Sequence, residues 1–185
     1  TSWSETADLA TARYDPGGSG VGSLALCFGG DSPSLGVLAV TEEFSVSTVA
    51  DTNKNLGQVY YNSTSNAFKV TKTVFGTGAW ASGGNLNTAR SELGGAGVQT
   101  AALAFGGLVY PPRVANTELY NGTSWTEVND LTTARSTNTG IGLSTAALSV
   151  GGQTPGAVVG ITESWNGSSW TEVADLNTAR QNMSG

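Results

Sequence analysis

The sequence predicts an all-β protein assembled from repeated units, and three observations predict it. Its 185 residues are only 12% charged and include 26 glycines, and Thr, Ser, Ala and Val supply much of the rest. Long helices draw instead on Leu, Glu, Lys and Arg. Short apolar runs recur between clusters of Gly, Asn and Ser, which is the pattern of strands and turns. Finally, the sixteen residues YNGTSWTEVNDLTTAR (120–135) return 45 positions later as WNGSSWTEVADLNTAR (165–180).

Four anchors recur in a fixed order. Gly-Gly stands at Gly29-Gly30, Gly106-Gly107 and Gly151-Gly152. Thr-Glu follows at Thr41-Glu42, Thr117-Glu118 and Thr162-Glu163. A Trp comes next, and it is Trp3, Trp80, Trp125 or Trp170. Thr-Ala-Arg closes the unit at Arg13, Arg90, Arg135 and Arg180. Trp3 to Thr11, Trp80 to Thr88, Trp125 to Thr133 and Trp170 to Thr178 are all the same step of 8 residues. A period of 40 to 50 residues with several short strands per unit is the signature of a β-propeller blade. One blade cannot bury both faces of its sheet, and stacked near-copies can.

Each unit reads as strands in order. TAALAFGG (100–107) is a nearly continuous apolar run, so it is expected to be an inner strand buried on both faces. GSLALCFGG and STAALSVGG are its equivalents. The glycine pair ends that strand and permits a tight exit. TELY and SWTEV follow as two strands joined at Asn121-Gly122, the strongest short hairpin signal, because both residues tolerate positive φ. WNGSSW repeats the device at Asn166-Gly167. Thr-Ala-Arg then leads into the first strand of the next unit, which is glycine-rich (GGAGVQ, NTGIGL).

Gly-Gly after an apolar strand, an aromatic before a short turn and a Trp one strand later make AFGG…TELYNGTSW and SVGG…TESWNGSSW resemble the kelch motif. That resemblance covers about three-quarters of the chain by the repeat spacing and implies four-stranded blades of a propeller. The strict, weakly charged NGTSWTEVNDLTTAR style also resembles repeats of phage and marine viral structural proteins.

One stretch departs from the pattern. Thr41 to Trp80 spans 39 residues, where Thr117 to Trp125 spans 8. The excess, placed at 45–77, includes QVYYN, a polar turn and AFKVTK, and reads as a further hairpin. GQVYYNSTSNAFKV resembles small β-hairpin modules of viral fibre and tail proteins. It is either a hairpin projecting from the ring or a junction between two repeat arrays. The organisation expected is therefore a blade segment at 1–44, the inserted hairpin or junction at 45–77 and further blades at 78–185. The array is expected to continue past both ends, because three Gly-Gly strands are fewer than a kelch ring closes with. Another chain or a longer polypeptide would complete it, and a start at Thr1 predicts a mature, processed or partial chain.

Composition excludes several functions. A net charge of −6 with 8 scattered Lys and Arg disfavours nucleic acid. No apolar run approaches the roughly 20 residues of a membrane span. The chain has no histidine, which removes the usual general base, the commonest metal ligand and the Ser-His and Cys-His pairs. The copper site of sugar-oxidising kelch enzymes, held by Tyr and His, cannot be assembled. The S-x-D-x-G-x-x-W box of sialidase propellers is absent, and DSPSLG (31–36) is a faint echo. Calcium finds no EF-hand spacing. No cofactor and no metal are expected, and the single cysteine, Cys27, replaces a small core residue.

Nine carboxylates recur in equivalent places: Glu5, Glu127 and Glu172; Asp8, Asp130 and Asp175; and Glu42, Glu118 and Glu163. A catalytic pair is normally unique, so these are expected to cap turns and to pair with Arg13, Arg90, Arg135 and Arg180. Asn62, Asn121, Asn166 and Asn182 begin N-x-Ser/Thr sequons, and at Asn121 and Asn166 turn chemistry already accounts for them. The loop GGLVYPPRVANTE (106–118) varies from unit to unit while the anchors stay constant. Variable loops on a rigid scaffold are where recognition resides, so Tyr110, Pro111 and Arg113 are the binding candidates.

The expected function is that of a non-enzymatic structural or attachment protein, a virion or extracellular component, that presents its loops to other structural subunits or to a surface glycan. A homo-oligomer is compatible with this. The alternatives are a carbohydrate-active enzyme, which requires non-repeated carboxylates facing the channel, and an intracellular kelch adaptor.

Overall fold

The computed structural model describes residues 7–49, 59–64, 66–70 and 74–183, with backbone alone at 47–49, 60, 69–70 and 74–77. Within these the protein is all-β. The anchor Trp3 and the recurrent Glu5 lie outside the described residues.

The strands are β1 (Gly17–Val21), β2 (Leu24–Phe28), β3 (Asp31–Ser32), β4 (Gly36–Val37), β5 (Thr41–Val49), β6 (Val59–Asn62), β7 (Ala67–Val70) and β8 (Val74–Ser82). They continue as β9 (Gly94–Val98), β10 (Ala101–Phe105), β11 (Thr117–Tyr120), β12 (Trp125–Val128), β13 (Thr139–Leu143), β14 (Ala146–Val150), β15 (Thr162–Trp165) and β16 (Trp170–Glu172). Three four-stranded antiparallel sheets result, in the orders β1-β2-β5-β8, β9-β10-β11-β12 and β13-β14-β15-β16. Each is a meander that uses the anchors in chain order.

The glycine-rich strands β1, β9 and β13 lie side by side, with β9 between the other two. The apolar strands β2, β10 and β14 are therefore second in their sheets, interior as expected, with β10 buried along most of its length, while glycine takes the strands that face one another. The reason is steric. A Cβ on Gly140 would lie 2.0 Å from the Gly95 carbonyl oxygen, and one on Gly95 would lie 2.5 Å from that of Gly18. Only glycine lets these backbones approach.

Two cores sit between neighbouring sheets. Leu26 and Phe28 of the first sheet meet Ala102, Ala104, Tyr120 and Trp125 of the second, with Leu86 and Leu93. Ala96, Leu103 and Phe105 of the second meet Ala147, Trp165 and Trp170 of the third, with Leu131. The same contacts repeat. Phe28 packs edge-on against Trp125 at 4.9 Å and Phe105 against Trp170 at 4.8 Å. The Trp125 indole donates to Thr41 Oγ1 and the Trp170 indole to Thr117 Oγ1, each at 3.0 Å. Each Trp thus fastens its own sheet to the third strand of the preceding one.

The turns are built by Asn side chains. Asn121 Oδ1 accepts from the backbone N–H of Thr123 and Ser124, and Asn166 Oδ1 from those of Ser168 and Ser169. Positive φ falls on Gly122 (92°) and Gly167 (95°) but not on the asparagines, so the asparagines act by hydrogen bonding instead.

Residues 45–77 run through the end of β5, then β6 and β7, into the start of β8. β5 and β8 pair within the first sheet, with a register shift between Val46 and Thr48. β6 and β7 form a separate hairpin in which Tyr61 packs against Phe68 at 5.4 Å.

Candidate recognition cleft

Buried ion pairs hold the scaffold. Arg13 pairs with Glu42, Arg135 with Glu163, and Arg90 Nη1 with Glu118 Oε1 at 2.7 Å. Arg90, Arg135, Glu118 and Glu163 are fully buried. Glu118 Oε2 also accepts from the Asn87 backbone N–H at 2.7 Å, and Glu163 Oε2 from that of Thr132 at 2.7 Å. The segment leaving one sheet is thereby clamped to the third strand of the next. Burial pulls the Arg90 pKa down, and the Glu118 carboxylate opposes that pull; guanidinium stays charged regardless. Asp130 and Asp175 accept from the backbone N–H of Thr117 and Thr162 at 3.1 Å. Glu127 instead meets Asn116 at 2.7 Å. Of the repeated carboxylates, Glu42, Glu118, Glu163, Glu127, Asp130 and Asp175 are thus occupied structurally, and Cys27 is a buried thiol whose pKa burial raises.

The residues left over gather at the end of the sheets where Thr-Ala-Arg and Gly-Gly lie. Tyr14 and Asp31 exchange two backbone hydrogen bonds of 2.9 Å, and Ser91 and Leu108 exchange bonds of 3.1 and 2.8 Å. These pairings carry the loop tips to either side of a cleft of about 500 Å³ lined by Tyr14, Asp15, Asp31, Ser91, Glu92 and Tyr110, together with Gly36 and Val37. That volume lies in the range of small-ligand sites. Tyr14 and Tyr110 are 50% and 76% exposed. The phenol of Tyr14 is held protonated above its ordinary pKa, first by its hydrogen bond to Asp31.

Asp15 and Glu92 occupy equivalent places, two residues after Arg13 and Arg90, and so do Thr137 and Asn182 after Arg135 and Arg180. All four adopt positive φ, 49° to 55°, a costly conformation for non-glycine residues that clusters at functional sites. Their backbones link in series. Glu92 N–H donates to the Asp15 carbonyl at 2.9 Å, Thr137 to that of Glu92 at 2.7 Å and Asn182 to that of Thr137 at 3.1 Å. A frame of constant geometry thus presents a different polar side chain at each step.

Of the residues expected from sequence, Tyr110 lines the cleft. Pro111 is exposed beside it, at a cis Pro111–Pro112 bond. Arg113 turns away. Its Nε donates to Ser136 Oγ at 3.0 Å and its Nη2 to Gln153 Oε1 at 2.7 Å. Ser136 Oγ in turn donates to Glu92 Oε2 at 2.7 Å, so Arg113 braces Glu92 through Ser136. Sequence reasoning missed Tyr14, Asp15, Asp31 and Glu92. The signal available was negative: these three carboxylates stand outside the nine that recur. Among the described residues no group of three or more His, Cys, Asp or Glu is arranged to hold a metal, and no helix is long and apolar enough to cross a membrane.

Sheets and cleft together define a repeat-built all-β scaffold whose variable residues meet at one end. No protein-family model matches the chain, and no curated protein does. Among solved structures it is similar to one titled "Structure of YjhT", with a TM-score of 0.61 at 10% identity, over 90% of this chain and 47% of that one. At that identity the likeness concerns the fold alone, and this chain spans about half the length of the protein it matches.

Proposed function

We propose that the protein is a non-enzymatic recognition module, a kelch-like β-propeller or part of one, that presents its loop-end cleft to a surface glycan or to another structural protein. The observation that carries this reading is the cleft itself. Two exposed tyrosines and three carboxylates outside the nine recurrent ones line it together, on loops pinned by backbone pairing. Sugars are bound by such a combination, with a ring against the apolar face of the pyranose and carboxylates accepting from its hydroxyls. The 45-residue period supports the propeller reading. The repeat style supports a virion or extracellular setting. No nucleic acid is expected as partner.

A second reading is favoured by one specific observation. Asp31 recurs in no other unit, and the acidic position of Asp15 and Glu92 becomes Thr137 and Asn182 in the later ones; a carbohydrate-active enzyme would require carboxylates gathered in this way. A glycan array followed by titration calorimetry separates the two readings. Binding without turnover, weakened at least about tenfold by Tyr110→Ala, which corresponds to roughly 1.4 kcal/mol, is the expected result. Hydrolysis abolished by Glu92→Gln would establish the enzyme instead. No binding to any glycan, with Tyr110→Ala silent against protein partners too, would remove the cleft from the function.

A further inference from the structure

Two junctions of the same build follow one another at the loop end of the sheets, and only the second contains a cation. Leu38 N–H donates to the Gly30 carbonyl at 2.8 Å, and Val114 N–H to that of Gly107 at 2.9 Å. Val37 of the first loop and Arg113 of the second therefore stand at equivalent positions. Arg113 crosses to the segments that flank β13 and β14. Its Nε donates to Ser136 Oγ at 3.0 Å and its Nη2 to Gln153 Oε1 at 2.7 Å. Ser136 Oγ relays the contact to Glu92 Oε2 at 2.7 Å. The chain thus fills this junction with its own guanidinium.

The first junction is the cleft of about 500 Å³, and its charge is unbalanced. Val37 lines it in place of an arginine, together with Asp15, Asp31 and Glu92. Among the described residues that line it there is no lysine or arginine. The neighbouring Arg13 and Arg90 are committed to Glu42 and Glu118. The Tyr14 phenol registers the imbalance: its hydrogen bond to Asp31 acts first, the charge of Asp15 adds to it, and no positive group opposes them. A concave site lined by one sign of charge concentrates the opposite ion. These carboxylates are not arranged to hold a metal. An organic cation suits them better, because an aromatic face attracts an ammonium group and the remaining carboxylates accept strong hydrogen bonds from neighbouring hydroxyls.

We propose that the cleft selects an amino sugar, a glycan with a free ammonium group, which supplies the charge that Arg113 supplies at the next junction. The proposal rests on the reading of the cleft as a glycan site and adds the charge of the glycan. A neutral glycan would leave Asp15, Asp31 and Glu92 uncompensated, and an acidic one would be repelled by all three. A lysine side chain would bring the same charge, but it has no hydroxyls for the other carboxylates and no pyranose face for the second tyrosine.

The test is titration calorimetry with a glucosamine trisaccharide and with the same trisaccharide fully N-acetylated. The amine form should bind at least about tenfold tighter, the scale of one close charge pair, and the difference should shrink as salt is raised. Asp15→Asn removes one charge at a positive φ that asparagine tolerates; it should weaken the amine form several-fold and leave the acetylated form unchanged. Val37→Arg supplies the cation from within the chain and should abolish binding of the amine form. Val37→Leu, which adds bulk without charge, should retain it. Each variant is first shown to melt as the parent does. Equal or tighter binding of the acetylated form would overturn the proposal and leave a glycan-binding cleft in place. Binding of no glycan at all would remove that reading of the cleft as well. Loss of binding in Val37→Leu as complete as in Val37→Arg, or tighter binding of an oligolysine peptide than of the amine sugar, would also overturn the proposal.

Discussion

At the scale of single residues, the same side chains do different work according to what surrounds them. Arg135 and Arg180 occupy the same place in adjacent repeats, yet the first is fully buried against Glu163 and the second is exposed. Removing one partner of a buried pair leaves a charge without compensation, at a cost of about 3–5 kcal/mol. Arg135→Ala should therefore lower the urea midpoint steeply, and Arg180→Ala should leave it within about 0.5 kcal/mol of the parent. Tyr120 offers a pH test. Burial, and then its hydrogen bond to Glu43 of the first sheet, push its pKa up to about 12. The folded state holds this proton more tightly than the unfolded chain, whose tyrosine titrates near 10. The stabilisation is thus complete below about pH 10 and is lost as pH rises through about 12. Denaturation monitored from pH 9 to 12 should show that loss, and Tyr120→Phe should flatten it. The residue-scale lesson for the cleft is that Asp31 does not recur and that the acidic position of Asp15 and Glu92 is given up to Thr137 and Asn182 in the later repeats, so the fold gathers three carboxylates at one end only.

At the scale of elements, strand existence was legible and strand placement was not. The alternation of apolar runs with Asn-Gly and Gly-Gly marks where strands begin and end, because turn chemistry is local. The apolar runs are interior strands, as their pattern predicts, but which strands face one another between sheets depends on what packs beside them. In the fold, the glycine-rich strands take those facing positions because β9 and β13 nearly touch through their backbones. Gly140→Ala would force a methyl group onto the Gly95 carbonyl, with 2.0 Å available. A loss of about 1–3 kcal/mol, as for other overpacked sites, should appear as a lower melting temperature and as faster hydrogen exchange in β9 and β13 together. A loss confined to β13 would show that the two strands do not brace each other.

At the scale of the whole molecule, three near-copies stack so that each sheet buries its neighbour, and stability grows from the interfaces between sheets. The sequence by itself determined the all-β class, the repeat, the order of strands within each unit and the residues of the hairpin turns. These follow from composition and from spacings along the chain, and both act over a few residues. Only the tertiary structure decided which glutamate each arginine holds 28 residues on, which threonine receives each indole, and that Tyr14, Asp15, Asp31, Glu92 and Tyr110 share one cleft. Those contacts join residues far apart in sequence, and nothing in a local pattern specifies which distant surfaces meet. The packing of sheet on sheet does.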